Sequence, residues 1–182
     1  MSKGFDRGRF GLLLGYRYEK FKHDIIGVTD LFTGETSYSG VRVLDYEVKY
    51  HIPYFGLNFQ YFKDMVNREL DNWGVNIQAC VSPYVTAKDL DYHLLRNKLS
   101  RGDTSGYALM LGLSSFLKSK SNLLWQFGIG YTGIRTKGKQ NQYWYGDDPS
   151  TPGDDTGTSI DGIGLKIKSA QYLFWGKLQY NF

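Results

Sequence analysis

The stretch Asp89-Leu90-Asp91-Tyr92-His93 has the residue types and the spacing for acid–base chemistry, in a chain with only three histidines. In an extended strand, residues two apart share a face, so Asp89, Asp91 and His93 project together, successive members about 7 Å apart at Cα. A carboxylate beside an imidazole orients the ring and stabilises its charged form, which is what a general base needs. One histidine and two carboxylates on one face could also ligate a metal, but no second histidine falls at a predictable spacing. The reading without chemistry is a solvated strand end that happens to carry a histidine.

The elements that must position these residues are strands. The chain has 182 residues, enough for one domain over 1–182, with 22 Gly, 4 Pro and 16% aromatic residues, a composition that favours β-structure. Alternation predicts six strands. The first covers about Arg9 to Ile26, with Phe10, Leu12, Leu14, Tyr16 and Tyr18 in one row. The second covers about Val41 to Phe62. Its apolar row shifts from Tyr46, Val48, Tyr50 and Ile52 to Phe55, Leu57, Phe59 and Tyr61 across Pro53, as at a bulge. The third starts near Glu69 and reaches His93. Odd positions there carry Trp73 and Ile77 and later Asp89 and Asp91, so a phase flip is expected near Ser82-Pro83. The fourth carries Tyr107, Leu109, Leu111, Leu113 and Leu117; the fifth Trp125, Phe127, Ile129 and Tyr131, running on to Trp144; the last Tyr172, Phe174, Leu178 and Tyr180.

The opposite row of these strands is Gly, Ser, Thr, Gln and Asn with few charges, which suits a polar lumen, and the apolar row ends in tyrosines, as membrane-interface girdles do. Short turns at Lys63 to Arg68 and Lys118 to Asn122 are expected to alternate with long loops at Gly27 to Gly40, Leu94 to Ser105 and Gly146 to Gly157. The fold class expected is an all-β, antiparallel up-and-down transmembrane barrel, with the acid–histidine triplet on its outward rim. Asp147, Asp148, Asp154 and Asp155 read as solvated loop residues, Cys80 as a lumen filler that excludes an internal disulfide, His51 as a lumen or strand-turn histidine and His23 as solvated. The net charge of +4 is spread along the chain, and no basic helix face invites nucleic acid.

Taken together, the chain resembles the omptin family of outer-membrane proteases. Leu14-Gly15-Tyr16, His51-Ile52-Pro53-Tyr54-Phe55-Gly56-Leu57, Asp89-x-Asp91-x-His93 and the closing Gly176-Lys177-Leu178-Gln179-Tyr180-Asn181-Phe182 match family stretches in order. The resemblance implies a bacterial outer-membrane endopeptidase that cleaves peptides or proteins between basic residues and is activated by lipopolysaccharide, with no other cofactor. Carried over, Asp91 and His93 activate a water, and Asp89 helps to form the acidic pocket for a basic side chain. Tyr16, Lys20 and Lys49 fall at or near the family's lipopolysaccharide-binding positions, and Tyr18 departs from an acidic residue there. The terminal aromatic strand resembles a sorting signature read by the outer-membrane assembly machinery. Omptin barrels have ten strands, of which this chain supplies the last six. It is therefore expected to be the C-terminal portion of a longer protein, inactive alone, with an opposing aspartate pair on the absent half. The alternative is a non-catalytic outer-membrane barrel, adhesin-like or porin-like, that binds a surface ligand or lipopolysaccharide.

Overall fold

The computed structural model describes residues 6–29, 36–64 and 70–180. They form strands β1 (Asp6–Thr29), β2 (Thr36–Asp64), β3 (Leu70–His93), β4 (Lys98–Ser119), β5 (Leu123–Trp144) and β6 (Ser159–Tyr180). The six pair antiparallel in chain order within one sheet, which is the expected meander.

The strands run further than the alternation suggested, and one expected loop is absent. Leu94 to Ser105 is not a long loop: β3 continues to His93 and β4 begins at Lys98, joined by a single 3-10 turn, Leu94–Arg96, and by Asn97 in the left-handed conformation. The polar composition that suggested a loop belongs to a strand polar on both faces, with Arg101, Asp103 and Ser105 exposed and Ser100, Gly102 and Thr104 buried. Between β1 and β2 the strands extend to Thr29 and from Thr36; the remainder of that loop, most of the Lys63 to Arg68 turn, Glu69 and Phe182 lie outside the described residues. The tight turn after Ser119 is present, closed by Asn122 N–H donating to Ser119 O at 3.2 Å, and a long connection joins β5 to β6.

Register aligns the apolar side chains into continuous outward rows. Phe10, Phe59, Ile77, Leu113, Ile129 and Phe174 stand side by side across all six strands, and so do Leu12, Leu57, Ala79, Leu111, Tyr131 and Tyr172. Most of these large side chains are exposed, Phe10 at 84% and Phe174 at 76%. Trp73 is half-buried but stays in register with Leu117, Trp125 and Leu178. From Leu117 up to Tyr107 is ten steps, about 33 Å of strand, or about 25 Å of height at a tilt of about 40°, the height of a lipid-facing band. Gln126, Gly128, Gly130, Ser114 and Gln179 are less exposed and occupy the other face.

Above this band the wall exchanges its faces on β2 and β3. The pairing slips between His51 and Phe55 and again between Ser82 and Val85, next to Pro53 and Pro83. Below the slip, Phe55, Leu57, Ile77 and Val81 are exposed; above it, Val48, Tyr50, Ile52, Val85 and Ala87 are buried. The bulge expected from sequence is therefore present. The expectation of a polar lumen holds for the lower half and in part above it, where Asp89, Ser100, Thr104 and Thr136 are buried on the inner face. Beside these polar groups the upper half holds an apolar cluster of Val48, Tyr50, Ile52, Val85, Ala87, Ala108 and Ile134. Burying one large aliphatic side chain is worth about 1.5–3 kcal/mol, so this cluster stiffens the rim without help from lipid.

Among the described residues, β1 and β6 are the sheet edges, with no ladder between them. The sheet curls enough for their inward side chains to meet. Arg17 Nη1 donates to Thr132 Oγ1 at 3.0 Å, and Gln171 Nε2 donates to Glu19 Oε2 at 2.9 Å.

Candidate active site

The flip near Pro83 brings Asp89, Asp91 and His93 to the inner wall of the rim. Without it, the parity that puts Ile77 and Val81 outside would put the aspartates outside too. His93 Nε2 lies 3.0 Å from Asp91 Oδ2. At that distance the carboxylate can hold the imidazole and stabilise its charged form, which leaves the other ring nitrogen for a proton from elsewhere. Asp89 is buried at 7% exposure. Burial, and then the charge of Asp91, hold its carboxyl above the usual carboxylate range.

Register places a specific neighbour beside each member. Asp91 lies between Tyr46 on β2 and Ser100 on β4; Asp89 lies between Val48 and Gly102; His93 lies opposite Lys98, which in turn faces Trp144. Asp89 Oδ1, Asp91 Oδ1 and Ser100 Oγ are buried polar atoms with no hydrogen-bond partner in the fold. Buried polar atoms are costly unless bonded, so these three mark the most strained polar packing beside the Asp91–His93 pair. Gly102 is what lets the Asp89 carboxylate lie flat against β4: a Cβ there would come within 1.9 Å of Asp89 Oδ1 and 2.4 Å of Leu165 Cδ2. Burial, and then Asp89, push the Tyr46 phenol up to about 12, so its hydroxyl stays a protonated donor. Lys98 Nζ stands 5.6 Å over the Trp144 ring, and burial, together with Arg96, pulls its ammonium below the usual lysine range. Among the described residues, no three His, Cys, Asp or Glu side chains gather as a metal-holding group.

The rim behind His93 is closed by the β5–β6 connection, and here the sequence reading of Asp148 is corrected. Asp148 is fully buried rather than solvated. It accepts from Arg96 Nε at 2.8 Å, Trp144 Nε1 at 3.2 Å, Ser150 N at 3.0 Å and Ser150 Oγ at 2.6 Å. The Ser150 hydroxyl above all, with Trp144 and Arg96, holds its carboxyl well below the usual range. Ser100, Gly102, Lys98 and Asp148 were not found from sequence, because their stretches read as loop. The one signal for the β4 residues is the alternation of Lys98, Ser100, Gly102 and Thr104 with Leu99, Arg101, Asp103 and Ser105.

Tyr16, Lys20 and Lys49 come together on the outer face, just above the apolar band. Lys20 and Lys49 are cross-strand partners, and both pair with Glu47, at 2.8 and 2.7 Å. The Tyr16 hydroxyl is hydrogen-bonded to His51 Nδ1, and the Tyr18 ring lies 5.2 Å from that imidazole. His51 therefore belongs to the outer face and not to the lumen. His23 is exposed, as expected, and stacks on Tyr46. Cys80 is buried on the inner face.

Residues 6–150 match the model of the Omptin family. Among curated proteins, the chain is similar to the plasminogen activator of Yersinia pestis, with 26% identity over 185 residues. That match covers 94% of this chain and 53% of the relative, so the chain spans about half the length of the curated relative it matches.

Proposed function

This chain belongs to the omptin family of outer-membrane proteases of Gram-negative bacteria, and on that premise we propose that its rim is the Asp–His half of a peptide-bond hydrolase. The observation that carries this reading is the 3.0 Å contact of His93 with Asp91 beside a second, buried carboxylate, Asp89. His93 takes the proton of an attacking water, and Asp91 holds the ring and stabilises the imidazolium that forms. Asp89 receives the basic side chain next to the cleaved bond. Its buried and unpartnered Oδ1 favours a cation that brings both charge and hydrogen-bond donors.

The protein substrate is a chain with paired basic residues, and the activating lipid is lipopolysaccharide, held at Tyr16, Lys20 and Lys49. In support, those three residues lie on one outer face directly above the apolar band. Outer-membrane assembly machinery inserts the barrel. The half of the relative's length that this chain does not span supplies the opposing acidic side of the cleft, so the chain alone is inactive.

The test is cleavage of a fluorogenic peptide with paired basic residues by the full-length protein refolded with lipopolysaccharide. His93→Ala is expected to slow cleavage by about 10²–10⁴-fold, with the barrel intact. Cleavage by His93→Ala at the parent rate would reject the mechanism.

A further inference from the structure

Lys98 is the one buried cation among the described residues, at 6% exposure. A buried ammonium is costly unless it is paired. Arg17 and Arg96 spend their charges on the carboxylates of Glu19 and Asp148. Lys98 has no such contact among the described residues; its partner is the Trp144 ring, 5.6 Å from Nζ. That ring is itself pinned, since Trp144 Nε1 donates at 3.2 Å to Asp148, the carboxylate that Arg96 also holds. The latch thus fixes the ring, and the face of the ring seats the ammonium. An aromatic face attracts a cation without cancelling its charge as a carboxylate does.

Register sets this uncancelled charge beside the general base. His93 on β3 and Lys98 on β4 are directly opposite each other, and side chains so placed share a face with their Cβ atoms about 5 Å apart. Burial and Arg96 disfavour the charged form of Lys98, while the nearby Asp91 and Asp148 support it. The site therefore holds a preorganised donor next to the imidazole that accepts a proton from water. A donor in such a water-poor place acts on a developing charge more strongly than it would in solution.

We propose that Lys98 is a further catalytic residue, whose ammonium donates a hydrogen bond to the substrate carbonyl oxygen as that oxygen becomes an oxyanion. This rests on the hydrolase reading above. The water oxygen bonds to the carbonyl carbon, the proton it sheds goes to His93, and the π pair of the C=O bond moves onto the oxygen that meets Lys98. On collapse the C=O bond re-forms, the C–N bond breaks, and His93 returns its proton to the leaving nitrogen. Lys98 keeps its own proton throughout.

The experiment compares Lys98→Met and His93→Ala with the parent, as full-length protein refolded with lipopolysaccharide, on a fluorogenic peptide with paired basic residues. Methionine keeps the length of the side chain and its packing on Trp144 and removes only the charge. Lys98→Met is expected to lower kcat by about 10²–10³-fold with KM little changed. The loss should persist on the alkaline plateau of the pH profile, where His93 is neutral in both proteins. Since a buried charge is removed, the thermal unfolding midpoint should not fall. A loss that vanishes on the plateau would mean that the lysine acts only through the imidazole, and would overturn the proposal. A slower enzyme with a lower midpoint would make Lys98 a support of the rim and overturn it too. If His93→Ala is slow and Lys98→Met matches the parent, this inference alone fails. If His93→Ala matches the parent, the hydrolase reading fails and takes the inference with it.

Discussion

Arg96 Nε lies 2.8 Å from Asp148 Oδ2, a contact that ties the β3–β4 turn to the β5–β6 connection across 52 residues of sequence. With Trp144 and Ser150 on the same carboxylate, it forms one latch behind the candidate site. Asp148→Ala is expected to leave the six-stranded sheet intact and to release residues 145–158. Hydrogen exchange of the Tyr145 and Gly157 amides, which bond to Asn97 and Trp144, should quicken by about 10–100-fold. The carboxyl of Asp148 is held below its ordinary range, so the latch is fully formed above the unfolded carboxylate pKa. It loosens only as pH falls through the lower, folded value. Exchange that stays unchanged in Asp148→Ala would show that the loop is held by its backbone alone.

Asp89 carries the opposite linkage. Its folded carboxyl is held above the ordinary range, so the folded protein binds the proton more tightly than the unfolded chain does. The penalty is absent below the unfolded pKa, grows as pH rises towards the folded one, and is complete above it. Asp89→Asn is therefore expected to raise the thermal unfolding midpoint at neutral pH, and the gain should vanish on acidification. In the full-length protein the same variant should lose preference for Arg or Lys at the cleaved bond. A midpoint that is unchanged at neutral pH would mean that the buried carboxylate has compensation the fold does not reveal.

Gly102 offers a narrower test. A Cβ at this position meets the Asp89 carboxylate and a Leu165 methyl rather than backbone, so the sheet can remain while the carboxylate is displaced. Gly102→Ala should reduce discrimination for basic over neutral residues in the full-length protein by about 10-fold or more. Its effect on hydrolysis of a neutral peptide should be smaller. An equal fall on both substrates would place Gly102 in general packing instead.

Glu47 titrates at about 2, lowered by the hydrogen bonds of Lys20 and then Lys49. It stays ionised at neutral pH and neutralises part of that outer patch. Glu47→Gln should free both ammonium groups and tighten lipopolysaccharide binding by about 5-fold, for the one negative charge removed. Weaker binding by this variant would show that Glu47 orients the lysines rather than competing for them.

The sheet and its outward band were legible because period-two alternation is a local signal, and Pro53 and Pro83 marked where it breaks. The triplet Asp89, Asp91 and His93 was legible for the same reason. What surrounds it was not. Ser100 and Gly102 sit where β4 is polar on both faces, because one face meets water and the other meets carboxylates, and alternation then carries no apolar signal. The burial of Asp148 depends on Arg96, 52 residues away in the β3–β4 turn, which no local pattern encodes. The apolar filling of the upper lumen was hidden because Tyr46 to Ile52 looks alike whether it faces lipid or a core.

The exchange of faces at Pro53 and Pro83 also sets a height. Sinking by one row would carry Tyr16, Tyr107 and Arg135 towards hydrocarbon, and rising by one would lift Leu14 and Leu109 into water. The protein is thus held in the bilayer to within about 5 Å, the rise of two residues on a tilted strand. Ser100, the neighbour of Asp91, lies nine residues above Leu109 on β4, or roughly 23 Å of height by the same measure. That is more than the headgroup layer's depth of about 6 Å a side. The Asp91–His93 pair stands clear of the lipid surface, within reach of a polypeptide arriving from the water and beyond the reach of one lying in the membrane.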